Sequence, residues 1–240
     1  MISRFTSFVL LLLLVAVSSC SEQPGPKAPE KAVTESERVQ GRVDSLEEAA
    51  QEGDLIVRLG DDMLSYSIRF LSQKDPAFSH TGIVVVRGGE KLVCHIYPDE
   101  IGADTIRYDP IDSFANPAKN LQCGLYRYAL SEVEKSSFLT DLMEWQKKRV
   151  HFDRLYDLKS DERVYCSEMI AKSLSRSTGG RIMIEQSKVP KKMLPLMSSY
   201  FKNENISKKQ LSEDRYIAID DLYLHPACRL LRKVNLQPSS

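Results

Sequence analysis

The sequence has no surplus of charge of either sign. Its 240 residues include 33 lysines and arginines and 33 aspartates and glutamates, so the formal net charge is zero. A protein that binds nucleic acid through the phosphate backbone needs a basic surplus. We therefore expect no nucleic-acid partner. The sequence also contains no internal repeat, and its length suits one domain with a substantial core.

Metal-binding motifs are missing as well. The five cysteines form no CxxC pair and the four histidines are not clustered. The sequence therefore predicts neither a metal site nor a cofactor. Four cysteines follow the N-terminal region, and an even number invites disulfides in an oxidising compartment. If Cys166 is catalytic it must stay reduced, which leaves at most one bridge among Cys94, Cys123 and Cys228.

No hydrophobic run is long enough for a membrane span. The N-terminal apolar run, Phe8 to Val17, follows a single arginine and is too short to cross a bilayer comfortably. This pattern predicts a signal peptide over residues 1–19. The ending VAVSSC resembles a bacterial lipobox, in which Cys20 becomes the lipidated N-terminus. Ordinary secretion with cleavage near Ser19 is the alternative.

The stretch that follows Cys20 has little to bury. Residues 21–40 are rich in proline, glutamate and lysine, a composition typical of disorder. We therefore predict a lipidated cysteine with a disordered linker over 20–42, and a folded domain over 43–240. A lipid on Cys20 would hold this domain at a membrane of the bacterial cell envelope. Because residue 21 is serine and not aspartate, the periplasmic face of the outer membrane is favoured.

Hydrophobic periodicity predicts strands and helices mixed without a regular βαβ alternation. The predicted strands span 53–59, 79–87, 90–97, 124–130 and 216–226. The predicted helices span 44–51, 61–73, 131–149, a segment from Cys166 to the glycines at 179–180, and 189–201 with an interruption at Pro195. Residues 202–215 are predicted to form a polar surface loop. The pattern fits an α+β fold with a largely antiparallel sheet.

Two histidines lie in a predicted hairpin. If the glycines at 88–89 form a two-residue turn, facing residues have numbers that sum to 177. His80 then faces Tyr97, which shares a face with His95 because side chains alternate along a strand. The two histidines are therefore predicted to be diagonal neighbours, with Cβ atoms roughly 5.5–8 Å apart. Gly82 beside His95 leaves room for the rings to approach each other.

The other face of this hairpin is predicted to be buried. It carries Thr81, Ile83, Val85, Leu92, Cys94 and Ile96. This pattern places Cys94 in the core, without a helix start that would activate its thiol. A pairing of Cys94 with His151 or His225, in the chain order of papain, is therefore disfavoured.

Cys166 follows the strand-like segment RVY and begins a predicted helix. The free N–H groups at a helix start favour the thiolate, which is the nucleophilic form of cysteine. A nucleophilic thiol also needs a base, and the base needs an orienting partner. His80 as general base and His95 as orienting residue meet this requirement. A structural role is the simpler interpretation of either histidine alone, and the combination favours catalysis.

The chain contains, in order, GDLIVRLGDDMLSYSIRFLSQKDPAFSHTGIVVV, VCHIYP and VHFDRLYDLKSDERVYCSEMIAKSL. This ordered set resembles the permuted papain-like amidases of the YiiX/YaeF type, within the NlpC-like cysteine hydrolase superfamily and related to the lecithin-retinol acyltransferases. The resemblance covers roughly residues 53–200. In such proteins the histidine precedes the cysteine, the reverse of the order in papain.

The resemblance implies a circularly permuted papain-like (NlpC-like) α+β fold, with a small antiparallel sheet flanked by helices. It also implies acyl transfer through a thioacyl intermediate. By this resemblance Cys166 is the nucleophile and His80 the general base. The third polar position lies on the strand after His80, where many relatives have an acidic residue and the acyltransferases a histidine. Here it is His95, which leaves the substrate type open. A neutral histidine would orient His80 less strongly than a carboxylate.

Three functions follow from these observations. The first is a cell-envelope cysteine amidase or peptidase, with cell-wall peptides as a candidate substrate. The second is a lipid-directed acyl hydrolase or acyltransferase, which cleaves an acyl ester or amide and is favoured by His95 and by a membrane anchor. The third is a binding module in which Cys166 is idle or oxidised.

Overall fold

A six-stranded antiparallel sheet forms the centre of the protein. The computed structural model describes residues 33–98, 105–156, 158–200 and 207–238. The strands are β1 Leu55–Gly60, β2 His80–Arg87, β3 Glu90–Ile96, β4 Ile106–Pro110, β5 Asn120–Tyr128, β6 His151–Phe152, β7 Arg163–Val164, β8 Ser187–Lys188, β9 Arg215–Tyr216 and β10 Cys228–Asn235. The sheet has the order β10-β5-β1-β2-β3-β4, and β6–β7 and β8–β9 form two small separate pairs.

Helices cover both faces of this sheet. They are α1 Glu35–Ala49, α2 Met63–Ile68, α3 Ile111–Phe114, α4 Glu132–Lys147, α5 Cys166–Ser177, α6 Leu194–Tyr200, α7 Lys208–Glu213 and α8 Ile219–Tyr223, with 3-10 turns at Arg69–Leu71 and Lys191–Met193. The prediction of an α+β fold with an antiparallel sheet flanked by helices is confirmed.

The β2–β3 hairpin has the register that its turn predicts. The two turn glycines have φ values of +59° and +86°, in the left-handed region that a tight hairpin turn requires. Arg87 lies opposite Glu90 and Ile83 lies opposite Cys94. Facing residues therefore sum to 177, and every side chain of the hairpin lies on its predicted face.

Both sides of the hairpin are buried. The predicted buried side, with Ile83 and Cys94, packs against α4, α5 and α8. The histidine side is buried too, because Val84 and Val93 lie beneath α1 and α3 with no exposed surface. The nearly continuous apolar run IVVV at 83–86 is typical of a strand that is covered on both faces.

The folded region begins earlier than predicted. The Thr34 hydroxyl accepts the N–H of Glu37 at 3.2 Å, and the Glu37 carboxylate accepts the N–H of Thr34 at 2.7 Å. This capping box starts α1, which buries Val39, Val43 and Leu46. The predicted disordered linker is therefore wrong for residues 35–42, because Val39 continues the helical spacing of Val43 and Leu46. The predicted signal peptide and Cys20 lie outside the described residues.

The C-terminal region differs most from the prediction. Residues 216–226 were expected to be the final strand, but α8 occupies their centre and the last strand is β10. The Asp220 carboxylate accepts the N–H groups of Lys74 and Asp75 at 2.7 and 3.1 Å, a distant contact that fixes this helical turn. The predicted loop at 202–215 contains α7. Pro195 is the second residue of α6 and does not interrupt it, since proline suits a first helical turn.

Two further expectations concern cysteines and membranes. All four described cysteines are free, and Cys94, Cys123 and Cys166 are buried. No disulfide therefore joins any two of them. Within the described ranges, none of the helices combines the length and the apolar character needed to cross a bilayer.

Candidate active site

Cys166 is the first residue of α5, and its side chain is buried. The backbone N–H groups of Thr81, Ser167 and Cys166 itself interact with its sulfur. Thr81 directly follows His80 on β2. The sulfur therefore lies against the start of the strand that carries the histidine, and Cys166 and His80 line the same cavity.

Hydrogen bonds fix the turn around the cysteine. The Tyr165 hydroxyl accepts the N–H of Ile217 at 2.7 Å, and the Ser167 hydroxyl donates to the Ile217 carbonyl at 2.8 Å. Glu168 accepts the N–H of Tyr165 at 3.3 Å and lies 2.7 Å from the Lys172 ammonium. Glu168 is fully buried, and burial raises its pKa to about 8. Glu168 therefore stabilises the turn at Tyr165 from inside the protein, unlike the solvated carboxylates common at helix starts.

Three side chains form a hydrogen-bonded chain beside the cavity. His80 Nε2 lies 2.9 Å from His95 Nδ1, and His95 Nε2 lies 3.0 Å from Asp109 Oδ2. The His95 bond holds the pKa of Asp109 below its ordinary value, so the carboxylate is ionised and accepts. His95 then carries its proton on Nε2, which makes its Nδ1 an acceptor for the Nε2–H of His80. This order leaves Nδ1 of His80 as the basic nitrogen.

The pKa shifts favour neutral imidazoles and a neutral thiol in the resting site. Burial lowers the pKa of His80 well below its ordinary value, and the charge of Arg58 lowers it further. Burial also lowers the pKa of His95, although Asp109 opposes this. Burial raises the pKa of Cys166 to about 11 despite its three N–H contacts. Burial of Cys166 therefore favours the protonated thiol in the resting site and opposes the thiolate that a helix start favours.

Asp109 is a site residue that the sequence analysis missed. It lies on β4, where Arg107 faces His95 across the β3–β4 pair and Asp109 is the diagonal neighbour. The alternation in TIRYDP was the available signal, with Ile106 and Tyr108 on one face. β3 ends at Ile96 and β4 begins at Ile106. This separation in sequence is too long for a two-residue turn, so the register of the pair cannot be calculated as it can for the hairpin. The carboxylate restores the strong orienting group that His95 alone lacks.

Close packing holds the two histidine rings in place. The Phe114 ring centre lies 5.7 Å from that of His80 and 5.2 Å from that of His95, and the Tyr97 ring lies 5.5 Å from His80. A Cβ atom at Gly82 would lie 3.0 Å from the Cβ of His95 and 2.5 Å from Val93. The expectation that this glycine provides space beside His95 is confirmed.

The cavity between these elements has a volume of about 550 Å³. One part of its wall is polar and includes Arg58, Asp61, Asp62, Lys119 and Asn120. Another part is apolar and includes Leu64, Ile68, Leu71, Phe152, Tyr156 and Ile219. A smaller apolar recess of about 70 Å³ shares Leu64, Ile68, Leu71 and Tyr156 and adds Met193, Leu196 and Met197. A substrate with one polar and one apolar part matches this lining.

The remaining candidate pairs do not meet. Cys94 lies in the core, where burial raises its pKa to about 12. His225 accepts the N–H of Ala227 through Nδ1 at 3.1 Å and packs on Tyr128. His151 is exposed on β6. None of these three residues lines the cavity that holds Cys166, so the papain-order alternative has no support.

A strand histidine precedes a helix-start cysteine here, on an antiparallel sheet covered by helices, which is consistent with a papain-like fold of the YiiX type. The structure is similar to the crystal structure of metalloprotein YiiX from Escherichia coli O157:H7, DUF1105. The TM-score is 0.62 and the sequences are 22% identical, with 78% of this chain and 98% of that chain covered. The predicted likeness to the YiiX type is therefore confirmed for the fold. No protein-family model matches the chain, and no curated protein matches it.

The related protein is described as a metalloprotein, so we tested whether the site of this chain fits a metal ion. Among the residues that the structure describes, no three histidine, cysteine or acidic side chains are grouped as metal ligands. The facing nitrogens of His80 and His95 are hydrogen bonded to each other. In this arrangement the two rings do not present a shared set of lone pairs to an ion.

Proposed function

We propose that the protein is a cysteine hydrolase that cleaves an amide bond through a thioacyl intermediate on Cys166. One observation carries the proposal: the chain of His80, His95 and Asp109 ends at the cavity that contains the helix-start cysteine. Such a chain supplies both the base and the orientation that a thiol nucleophile requires. The similarity in fold to YiiX is consistent with it.

The reaction begins with a neutral thiol and a neutral imidazole. When the substrate carbonyl binds, the sulfur of Cys166 attacks its carbon while Nδ1 of His80 takes the thiol proton. The imidazolium is stabilised through His95 by the Asp109 carboxylate. The oxygen of the tetrahedral intermediate gains negative charge, and in this proposal the backbone N–H of Cys166 at the helix start donates to it.

Collapse of this intermediate breaks the carbon–nitrogen bond. His80 returns its proton to the leaving amine, and the acyl group remains on sulfur as a thioester. A water molecule then attacks the thioester carbonyl while His80 accepts a proton from it. The thiolate leaves, recovers the proton from His80 and releases the carboxylic acid, so the resting site is restored.

Acylation of the intact protein tests the nucleophile. An activated ester such as 4-nitrophenyl acetate is expected to add one acetyl group, which mass spectrometry of the acid-quenched protein would locate on Cys166. Cys166→Ala should lose the adduct, whereas Cys228→Ala, a matched control at a partly buried cysteine, should keep it. A wild-type protein that folds but carries no adduct on Cys166 would favour the binding-module hypothesis and refute the hydrolase.

The orienting chain has its own test. His80→Gln keeps a polar side chain of similar size but removes the base, so we expect acylation to fall by about 10²–10⁴-fold. His225→Gln is the matched control, because that histidine lies outside the cavity, and it should leave the rate unchanged. Equal rates for the two variants would show that His80 does not act as the base.

A lipid-directed acyl hydrolase or acyltransferase is the second candidate, and the apolar wall of the cavity favours it. The side chains of Leu64, Ile68 and Leu71 continue into the recess beside α6. A long acyl chain would therefore bury apolar area that a peptide would not. Product analysis with muropeptides and with phospholipids distinguishes the two candidates: release of a peptide amine supports the amidase, and release of a fatty acid supports the lipid enzyme.

We further propose that the mature protein is a lipoprotein of the bacterial cell envelope. The support is the sequence alone, with its short apolar run and the lipobox-like ending at Cys20. Metabolic labelling with palmitate and membrane fractionation test this proposal. Label that is retained in Cys20→Ala, or a wild-type protein found entirely in the soluble fraction, would contradict it.

A further inference from the structure

We propose that Arg58 binds an anionic group of the substrate, a carboxylate or a phosphate, beside the bond that is cleaved. This inference rests on the proposed function, because it assigns the substrate of the same site. It adds a recognition element that no sequence motif indicated. Three observations support it: the position of Arg58, the absence of an acidic partner among the residues that the structure describes, and the lining of the cavity.

Arg58 lies at the centre of the site. It is on β1, directly opposite His80 on β2, and directly opposite residues project from the same face of a sheet. It lines the cavity together with His80 and Cys166. A group bound to this guanidinium therefore lies next to the acyl carbon that the Cys166 sulfur attacks.

The guanidinium is held on one side only. Its Nη1 donates to the Phe114 carbonyl at 3.1 Å, and its central carbon lies 4.7 Å from the centre of the Phe114 ring. A guanidinium has five N–H donors in a planar fork that matches a carboxylate or a phosphate. The contacts with Phe114 orient the fork and leave donors for a ligand.

No ion pair neutralises Arg58 in the described part of the chain. The nearby Asp109 carboxylate binds His95, and the Asp62 carboxylate accepts the N–H of Ser65 at 2.8 Å. Burial lowers the pKa of Arg58, as expected for a cation withdrawn from water. A partly buried charge without a partner is costly, and an anion that forms charge-assisted hydrogen bonds removes that cost.

Another arginine of the same sheet shows the usual solution. Arg127 donates to both carboxylate oxygens of Asp54, at 2.6 and 2.7 Å. The sheet therefore does provide an acid where an arginine needs one for stability. Arg58 faces the cavity where Arg127 faces Asp54. We therefore expect the substrate to supply the anionic group that pairs with Arg58.

The charge of Arg58 also connects binding to chemistry. It is one of the causes that lower the pKa of His80 and of His95. An anion bound to the guanidinium would offset this charge and make His80 a better base while the substrate is in place. This effect favours the proton transfer from Cys166 in the occupied site over the empty one.

Protection of Cys166 from alkylation tests the inference without requiring turnover. The full-length protein is treated with iodoacetamide, and the modification of Cys166 is followed by mass spectrometry. Two matched pairs of probes compete: N-acetyl-alanine against N-acetyl-alaninamide, and dodecyl phosphate against dodecanol. In each pair that binds, we expect the anion to protect at a concentration about tenfold or more below that of its neutral partner. The pair that protects at the lower concentration identifies a peptide carboxylate or a lipid phosphate as the source.

Arg58→Gln should remove the preference for the anion and leave protection by the neutral probe unchanged. Lys119→Gln, which removes an exposed cation from the same cavity, should keep the preference. If Arg58→Gln does not fold, Arg58→Lys is informative, since it keeps the charge but loses the fork and should retain a weaker preference. Equal protection by charged and neutral probes in the wild type, or a preference that survives in Arg58→Gln, would overturn the inference.

The outcome is separable from that of the proposed function. Anion protection that depends on Arg58, in a protein that activated esters do not acylate, would keep the anion site and refute the hydrolase. Acylation of Cys166 without any anion preference would keep the hydrolase and refute the role of Arg58.

Discussion

Two carboxylates, one just before β1 and one on β4, each bind a nitrogen of a basic side chain, but the two interactions differ in what they connect. Asp54 on the segment before β1 is buried and binds Arg127 through both oxygens, and it also accepts the N–H of Gln51. Asp109 on β4 is partly exposed and binds His95. The first interaction ends within the protein, because Asp54 and Arg127 hold two neighbouring strands together. The second continues through His95 to His80 and ends at a cavity.

Under the proposed function, this difference separates a catalytic interaction from a structural one. Both carboxylates form short hydrogen bonds to a basic side chain, so the bonds themselves do not separate structure from function. The distinction lies in what each interaction leads to. The Asp54–Arg127 pair joins two neighbouring segments of the protein, whereas the chain from Asp109 through His95 reaches His80, which lines the cavity. The following predictions test this distinction, beginning with the largest effect.

Arg127→Met should cause the largest loss of stability. The change leaves the buried Asp54 carboxylate without its cation, which we expect to lower the free energy of unfolding by about 3–5 kcal/mol. Denaturant unfolding measures this loss. Arg229→Met, at an exposed arginine opposite Arg127 on β10, should have little effect. Acylation of Cys166 per folded molecule should not change, and a large decrease would mean that this pair also serves the site.

The resting protonation state of the site predicts a steep pH dependence. Because burial raises the pKa of Cys166 to about 11, the thiolate fraction below that pH should rise about tenfold per pH unit. Alkylation of Cys166 by iodoacetamide should therefore be about 100-fold faster at pH 9 than at pH 7. Site-resolved mass spectrometry separates this reaction from that of Cys228. A rate that is constant between pH 5 and 9 would indicate a preformed thiolate–imidazolium pair.

Asp109→Asn should affect activity much more than stability. The amide still accepts from His95 but lacks the charge that stabilises the imidazolium form of His80, so acylation should slow by about 10–100-fold. Unfolding should change little, since the carboxylate is partly exposed. The control is Asp112→Asn, at an exposed acid on α3. A loss of stability as large as that of Arg127→Met would remove the contrast between the two carboxylates.

Gly82→Ala should give the smallest effect and tests the close approach of the hairpin strands at His95. The new Cβ would lie 2.5 Å from Val93 and 3.0 Å from the Cβ of His95, and such overpacking costs about 1–3 kcal/mol. Gly41→Ala is the matched control in α1, where nothing lies within 4 Å, and it should stabilise by roughly 0.5–1 kcal/mol. Equal thermal stabilities of the two variants would contradict the close packing.

The parts of the site that sequence predicted are those fixed by local rules. A two-residue turn determines the register of its hairpin, so His80 and His95 were placed on one face before any coordinates. The helix start at Cys166 follows from a strand-like segment next to a helical periodicity. Asp109 was not predicted because β3 and β4 are too far apart in sequence for a two-residue turn to fix their register. The helix at 219–223 was missed because its alternating apolar pattern imitates a strand, while distant contacts of Asp220 hold it helical.

The sequence by itself determined the antiparallel hairpin, the capped helices and the candidate pairing of a thiol with two imidazoles, because turns, caps and periodicity act between residues close along the chain. The tertiary structure alone indicated that burial disfavours the thiolate of Cys166, that a carboxylate extends the histidine chain and that Arg58 lines the cavity with no acidic partner among the described residues. These properties depend on burial and on the approach of groups far apart in sequence. The pKa of a side chain and the partners of a charge are set by the groups that surround them in three dimensions, which no local sequence pattern specifies.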